Sequence, residues 1–150
     1  MIRFVRTDAT NQDFVALVKL LDADLRVRDG EIHYFYAQFN KVDLIKHVVL
    51  AFADEKAVAC GANKIYDEQT MEIKRMFVQP SYRNKGIAAQ ILAELENWAK
   101  DLGFKKCILE TGNNQPEAIR LYQKCNYQLI PNYGQYKGLD TSFCFEKVLA

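Results

Sequence analysis

Apolar and polar positions follow two rhythms along this chain. The runs Ile2 to Thr7, His47 to Ala53, Ala57 to Tyr66 and Met71 to Gln79 are rich in β-branched and aromatic residues and bounded by turn residues, which predicts strands. The turns Asp54-Glu55-Lys56 and Asp67 to Gln69 are short, so the three middle strands are predicted to form an antiparallel meander. Pro80 ends the third strand, because it has no N–H for a ladder bond. The other rhythm is helical. Phe14, Leu17, Leu20, Leu21 and Leu25 recur at helical spacing after a cap at Thr10 or Asn11, with Gly30 as the stop. Ile87, Ile91, Leu92, Leu95, Trp98, Ala99 and Leu102 do so before Gly103. A third helix opens at Pro116 and carries Ala118, Ile119, Leu121 and Tyr122. Lys106 to Thr111, Tyr127 to Ile130 and Ser142 to Val148 read as further strands, while Glu31 to Lys46 fits a short helix or a loop. Strand, helix and strand from Met71 to Thr111 make a crossover unit, which allows those strands to lie parallel. The fold class expected is α/β (α+β): one domain over residues 1–150, with a mixed, mostly antiparallel sheet of six to seven strands flanked by helices.

Composition narrows the function. Lys plus Arg is 20 and Asp plus Glu is 19, a net charge of +1. Bulk charge gives no reason to expect nucleic acid or an anionic membrane. The longest apolar run is Val48 to Ala53, far short of the roughly 20 residues that span a bilayer. Met1 to Asp8 has no apolar stretch for an export signal, so the cytoplasm is the expected location. Cys60, Cys107, Cys125 and Cys144 form no C-x-x-C pair, and only His33 and His47 could join them. No metal site is expected; the cysteines read as free thiols in or near the core.

The chemistry concentrates in Val78-Gln79-Pro80-Ser81-Tyr82-Arg83-Asn84-Lys85-Gly86-Ile87-Ala88. A strand ends, a tight turn comes next, and a helix starts at a glycine. First-turn amides have no acceptor inside the helix, and the helix dipole adds positive charge there. That end suits a phosphate group. Gly86 puts no side chain in the ligand's way, Ala88 keeps the next turn slim, and Arg83 and Lys85 add charge. No GxxxxGK[ST] or GxGxxG pattern occurs, which counts against nucleotide binders of other folds.

These residues resemble the GCN5-related N-acetyltransferases. Their acetyl-CoA motif, Arg or Gln-x-x-Gly-x-Gly or Ala after a strand ending Val-x-Pro, is met by Val78, Pro80, Arg83, Gly86 and Ala88. Their later Ala-x-x-Leu-Tyr-x-Lys segment is met by Ala118, Leu121, Tyr122 and Lys124. Glu72 to Val78 is similar to their central strand. The resemblance implies acetyl-CoA as cosubstrate, its pyrophosphate on the amides from Arg83 through Asn84, Lys85, Gly86 and Ile87 to Ala88. The pantetheine arm would run beside Met76, Phe77 and Val78, entering where the central strand and the next one splay apart. An amide near Met76 would polarise the thioester carbonyl. Two positions depart from the pattern. Gln115 stands where Asn is frequent, still able to bond the pantetheine amides. Asn126 replaces a Gly at a helix end, where Asn tolerates the left-handed conformation.

Acetyl transfer needs an amine stripped of its proton, and an amine with a pKa near about 10.4 is cationic at neutral pH. Glu72 is the candidate base; its bland reading is a strand carboxylate paired with Lys74. By resemblance Tyr122 is the candidate acid for the leaving sulfur, against a plain core aromatic. Trp98 reads as core. The cluster His33, Tyr34, Phe35, Tyr36 and Phe39 and the loop Asn132 to Tyr136 read either as packing or as the border of an acceptor pocket. The expected acceptor is a primary amine of a small molecule or of a protein, with a homodimer left open. The rival reading is an acyl-CoA-binding sensor with little turnover.

Overall fold

The computed structural model describes residues 1–29 and 45–149. Gly30 and the aromatic cluster His33 to Phe39 lie outside the described residues. Among the described residues, seven strands form one sheet in the order β1-β2-β3-β4-β5-β7-β6. They are β1 (Ile2–Thr7), β2 (His47–Ala53), β3 (Lys56–Asp67), β4 (Thr70–Val78), β5 (Lys106–Gly112), β6 (Gln128–Ile130) and β7 (Ser142–Val148). Helices α1 (Gln12–Asp29), α2 (Ile87–Asp101) and α3 (Pro116–Lys124) flank it. The meander β2-β3-β4 is antiparallel and β4 lies parallel to β5, as the crossover predicts.

Side-chain alternation sends successive residues to opposite faces of the sheet. Val49, Ala51, Met71 and Ile73 pack with Ile91, Leu92 and Leu95 of α2 and Tyr122 of α3. Val48, Leu50, Cys60, Ala62 and Phe77 pack with Phe14, Leu17, Val18 and Leu21 of α1. Asn11 caps α1: its Oδ1 accepts from the amides of Asp13 at 2.9 Å and Phe14 at 3.3 Å. Two apolar expectations fail. Leu20 is 48% exposed, because the buried stripe runs 14, 17, 18, 21 and takes Val18 instead. Leu102 is equally exposed, since α2 stops at Asp101 and Leu102 is its C-cap. Trp98 is only partly buried, its ring edge-on to His47 at 4.9 Å and under the Arg6 guanidinium at 4.9 Å. Cys60, Cys107 and Cys144 are buried and Cys125 is half-buried, all as free thiols.

β4 is an irregular strand. Its parallel pairing with β5 covers only Thr70, Met71 and Glu72; the register then ends. β5 continues to Gly112 on β7 instead, so the two strands part. Against β3, Lys74 faces Ala62 and Phe77 faces Cys60, so Arg75 and Met76 together oppose Gly61 in a bulge. Arg75 takes φ +59°, rare for a side-chain-bearing residue. Gly61 is required there: a Cβ on it would lie 2.5 Å from Met76 Sδ and 2.8 Å from Ile91 Cγ2.

Candidate active site

Beyond Val78 the chain makes a short helical turn, Pro80–Tyr82, before α2. Asn84 (φ +63°) and Gly86 (φ +81°) are both left-handed, which aims the chain into the helix. Helical bonding resumes at Gln90, whose amide donates to Gly86 O at 3.2 Å, and no side chain among the described residues caps the helix. Its first-turn amides therefore lack a helical acceptor. A Cβ on Gly86 would meet none of the described residues within 4 Å, so the space above those amides is open.

Arg83 departs in part from its expected place. Its amide donates to Pro80 O at 3.3 Å, so the run of outward amides begins after it. Its Nε donates to Val78 O at 2.8 Å, and its guanidinium lies 3.8 Å from Asp24 and over the Phe77 ring. The side chain thus braces the strand end and ties it to α1. Lys85 is exposed, its ammonium 5.4 Å from the Tyr82 ring centroid. Ile87 is buried as the first anchor of α2, and Ala88 is half-buried beside it.

Where β4 and β5 part, a cleft opens toward solvent. Glu72, Met76, Tyr122 and Gln115 all line it, joining residues far apart in sequence. Phe77 and Val78 continue β4 toward the turn; Phe77 packs on the α1 side. Gln115 is the N-cap residue of α3, with its carbonyl accepting from Ala118 at 3.1 Å and Ile119 at 3.2 Å. Tyr122 is 6% exposed, wedged against Tyr127 and Phe145. Burial raises its hydroxyl above the usual phenol range, and the carboxylate of Glu110 adds to the effect. The group therefore stays protonated at neutral pH. Asn126 sits at φ +73°, and the Tyr127 amide reaches back to Tyr122 O at 2.9 Å, closing α3 below the tyrosine.

Glu72 is 6% exposed rather than a solvated strand carboxylate. Tyr133 Oη donates to its Oε2 at 2.6 Å. Burial, and then Glu72 itself, push the Tyr133 hydroxyl up, so it remains a donor. Asn132 holds that loop in place: its Nδ2 lies 3.1 Å from Tyr136 O, 3.0 Å from Leu139 O and 3.2 Å from Ser142 O. Lys74 is buried on the same strand; desolvation lowers its pKa, with Glu72 and Glu110 pulling the other way.

Sequence patterning does not single out Glu110, Thr111 or Arg75, which line the cleft too. Ser142 Oγ donates to Glu110 Oε2 at 2.7 Å. Strand alternation past the end of the β4–β5 pairing is the signal available for Glu110. No local signal marks Arg75, whose placement depends on the bulge.

Comparison with known proteins gives the family and the fold. The model of the Acetyltransferase (GNAT) family matches residues 14–127. An IAA acetyltransferase of Azospirillum brasilense is 38% identical over 93 residues, covering 61% of this chain and 61% of that relative. The chain therefore matches less than two thirds of that relative's length. A solved structure from Klebsiella pneumoniae, assigned as an acyl-CoA N-acyltransferase, is 27% identical and superposes with a TM-score of 0.84 over 100% of this chain and 99% of that one. PaiA N-acetyltransferase from Thermoplasma acidophilum, solved in complex with coenzyme A, superposes with a TM-score of 0.74 over 99% of each chain. At 19% identity that likeness is one of fold.

Proposed function

Because this chain belongs to the Acetyltransferase (GNAT) family, we propose that it moves the acetyl group of acetyl-CoA to a primary amine of a small molecule by direct attack. The observation that carries this reading is the meeting of Glu72 and Tyr122 in one cleft where β4 leaves β5. The open amides after Asn84 and at the start of α2 hold the pyrophosphate, with Lys85 adding charge. Met76, Phe77 and Val78 offer their strand edge to the pantetheine arm, because β5 no longer occupies it. The Met76 amide polarises the thioester carbonyl.

Glu72 accepts a proton from the ammonium of the acceptor, directly or through a water, and Tyr133 keeps that carboxylate oriented. The amine nitrogen then forms the new C–N bond while the C–S bond breaks, and its second proton passes to water. Tyr122 donates to the departing sulfur, and its proton is restored from Glu72, so no net proton is lost by the protein. The sensor reading differs in one observable: it binds acetyl-CoA without releasing thiol. Thiol release measured across a panel of amines tests the two. Amine-dependent release that falls by roughly a hundred-fold in Glu72→Gln is expected for a general base. Tight CoA binding with no release for any amine would leave the sensor.

A further inference from the structure

Arg75 is a cleft residue that acetyl transfer itself does not use. It is 9% exposed, lines the cleft and sits in a left-handed bulge. Such a conformation persists only when its surroundings hold it, and it clusters at functional sites. Cys60 Sγ donates to Arg75 O at 3.3 Å, fixing the bulge from below. The extra residue turns Arg75 toward α1, where one nitrogen, Nη2, serves both oxygens of Asp22, at 3.0 and 3.2 Å. A guanidinium and a carboxylate ordinarily pair through two nitrogens. Here Nε is left buried with no partner among the described residues. Buried donors are nearly always satisfied, so this one asks for an explanation.

The rest of the cleft supplies one. Glu72 lies three residues back on the same strand and Glu110 on the neighbouring one, so Arg75 shares the cleft with two carboxylates and with the buried Lys74. Leu21 and Leu25 of α1 add an apolar wall. The Asp22 side chain is 42% exposed and that of Arg75 only 6%, so the aspartate is the member of the pair that can yield.

We propose that the acceptor is an amine that also carries a carboxylate, as an amino acid does, and that Arg75 is its specificity-determining residue. This rests on the acetyl-transfer reading and names its substrate class. The acceptor's carboxylate completes the fork on Arg75 in place of Asp22, while its amine is directed toward Glu72.

The test uses the full chain with acetyl-CoA, measuring thiol release with the standard amino acids and with the amide of each. For the best amino acid, kcat/KM is expected to exceed that of its amide by roughly ten- to a hundred-fold. Arg75→Lys is expected to shrink that ratio toward one, through a higher KM for the acid. Should Arg75→Lys fail to fold, the wild-type chain still decides. The deaminated acid corresponding to the best substrate is expected to compete with it, and the deaminated amide is not. Equal use of amide and acid, equal inhibition by both analogues, or no turnover of any amino acid overturns the proposal. Calorimetric titration with CoA separates the two levels. Binding of CoA with acetylation of amides but no preference for acids removes only the role of Arg75. Absence of CoA binding removes the acetyl-transfer reading itself.

Discussion

The two faces of the sheet are built for different ends. On the face that carries α2 and α3, sixteen buried residues among those described form one apolar cluster. The buried polar groups there are answered structurally for the most part: Glu96 accepts from Tyr127 at 2.8 Å and Lys147 at 2.9 Å, and Asn63 donates its Nδ2–H to Leu95 O at 2.9 Å, while its Oδ1 finds no partner among the described residues. On the face that carries α1, apolar packing covers β2 and β3, then gives way at β4 to Glu72, Lys74 and Arg75, all buried. Buried charge costs free energy unless it is partnered. One face thus holds the fold and the other holds charged groups at a cleft, with Tyr122 reaching from the first into the second where the strands part.

Tyr122→Phe tests that division most sharply, because phenylalanine keeps the packing and removes only the hydroxyl. Turnover is expected to fall by about 10² to 10⁴-fold, as for loss of a general acid, with the CoA dissociation constant changed by no more than a few-fold. Steady-state kinetics beside calorimetry check this; equal losses of both would make Tyr122 a packing residue. Leu95→Ala acts on the apolar face alone. It should remove about 2–5 kcal/mol of stability in urea unfolding while kcat per folded molecule holds. Loss of kcat at full stability would show the faces to be coupled.

Much of this is legible in the sequence. The meander, the crossover and the Gly86 turn are local patterns, and local patterns are what periodicity and turn chemistry report. The cap at Asn11 and the left-handed Asn126 come from single residues. What escapes depends on distant partners. Nothing near Glu72 foretells Tyr133, sixty-one residues away, because Asn132 sets that loop through three carbonyls. Nothing in Lys74-Arg75-Met76 marks a bulge, since no glycine stands at its left-handed position; the glycine is Gly61, across the ladder. Leu20 is a different case: spacing of three and four residues from Phe14 selects Leu17, Val18 and Leu21, so its exposure follows from the local helical period.

Two smaller effects refine the comparison. Gly86→Val places a β-branched residue at φ +81°, a strain of about 1–3 kcal/mol, and sets a side chain over the open amides. The CoA dissociation constant should rise by roughly ten-fold or more, with little change in core packing, since no described neighbour lies within 4 Å. An unchanged constant in calorimetry would free the turn from that role. Last comes pH. Burial pushes the Cys60 thiol from 9.0 up to about 12, with Arg75 opposing. Above pH about 9 the unfolded chain releases that proton while the folded chain keeps it, so stability present below 9 drains away as pH rises toward 12. Urea midpoints should decline over that window, less so in Cys60→Ala; a flat profile in the parent chain would contradict the burial of the thiol.

The most direct measurement is a crystal structure with acetyl-CoA. The diphosphate is expected on the amides between Asn84 and Ala88, the arm along Met76 to Val78, and the sulfur within hydrogen-bond reach of Tyr122 Oη. Coenzyme density anywhere else, with the β4–β5 gap closed, would contradict the account.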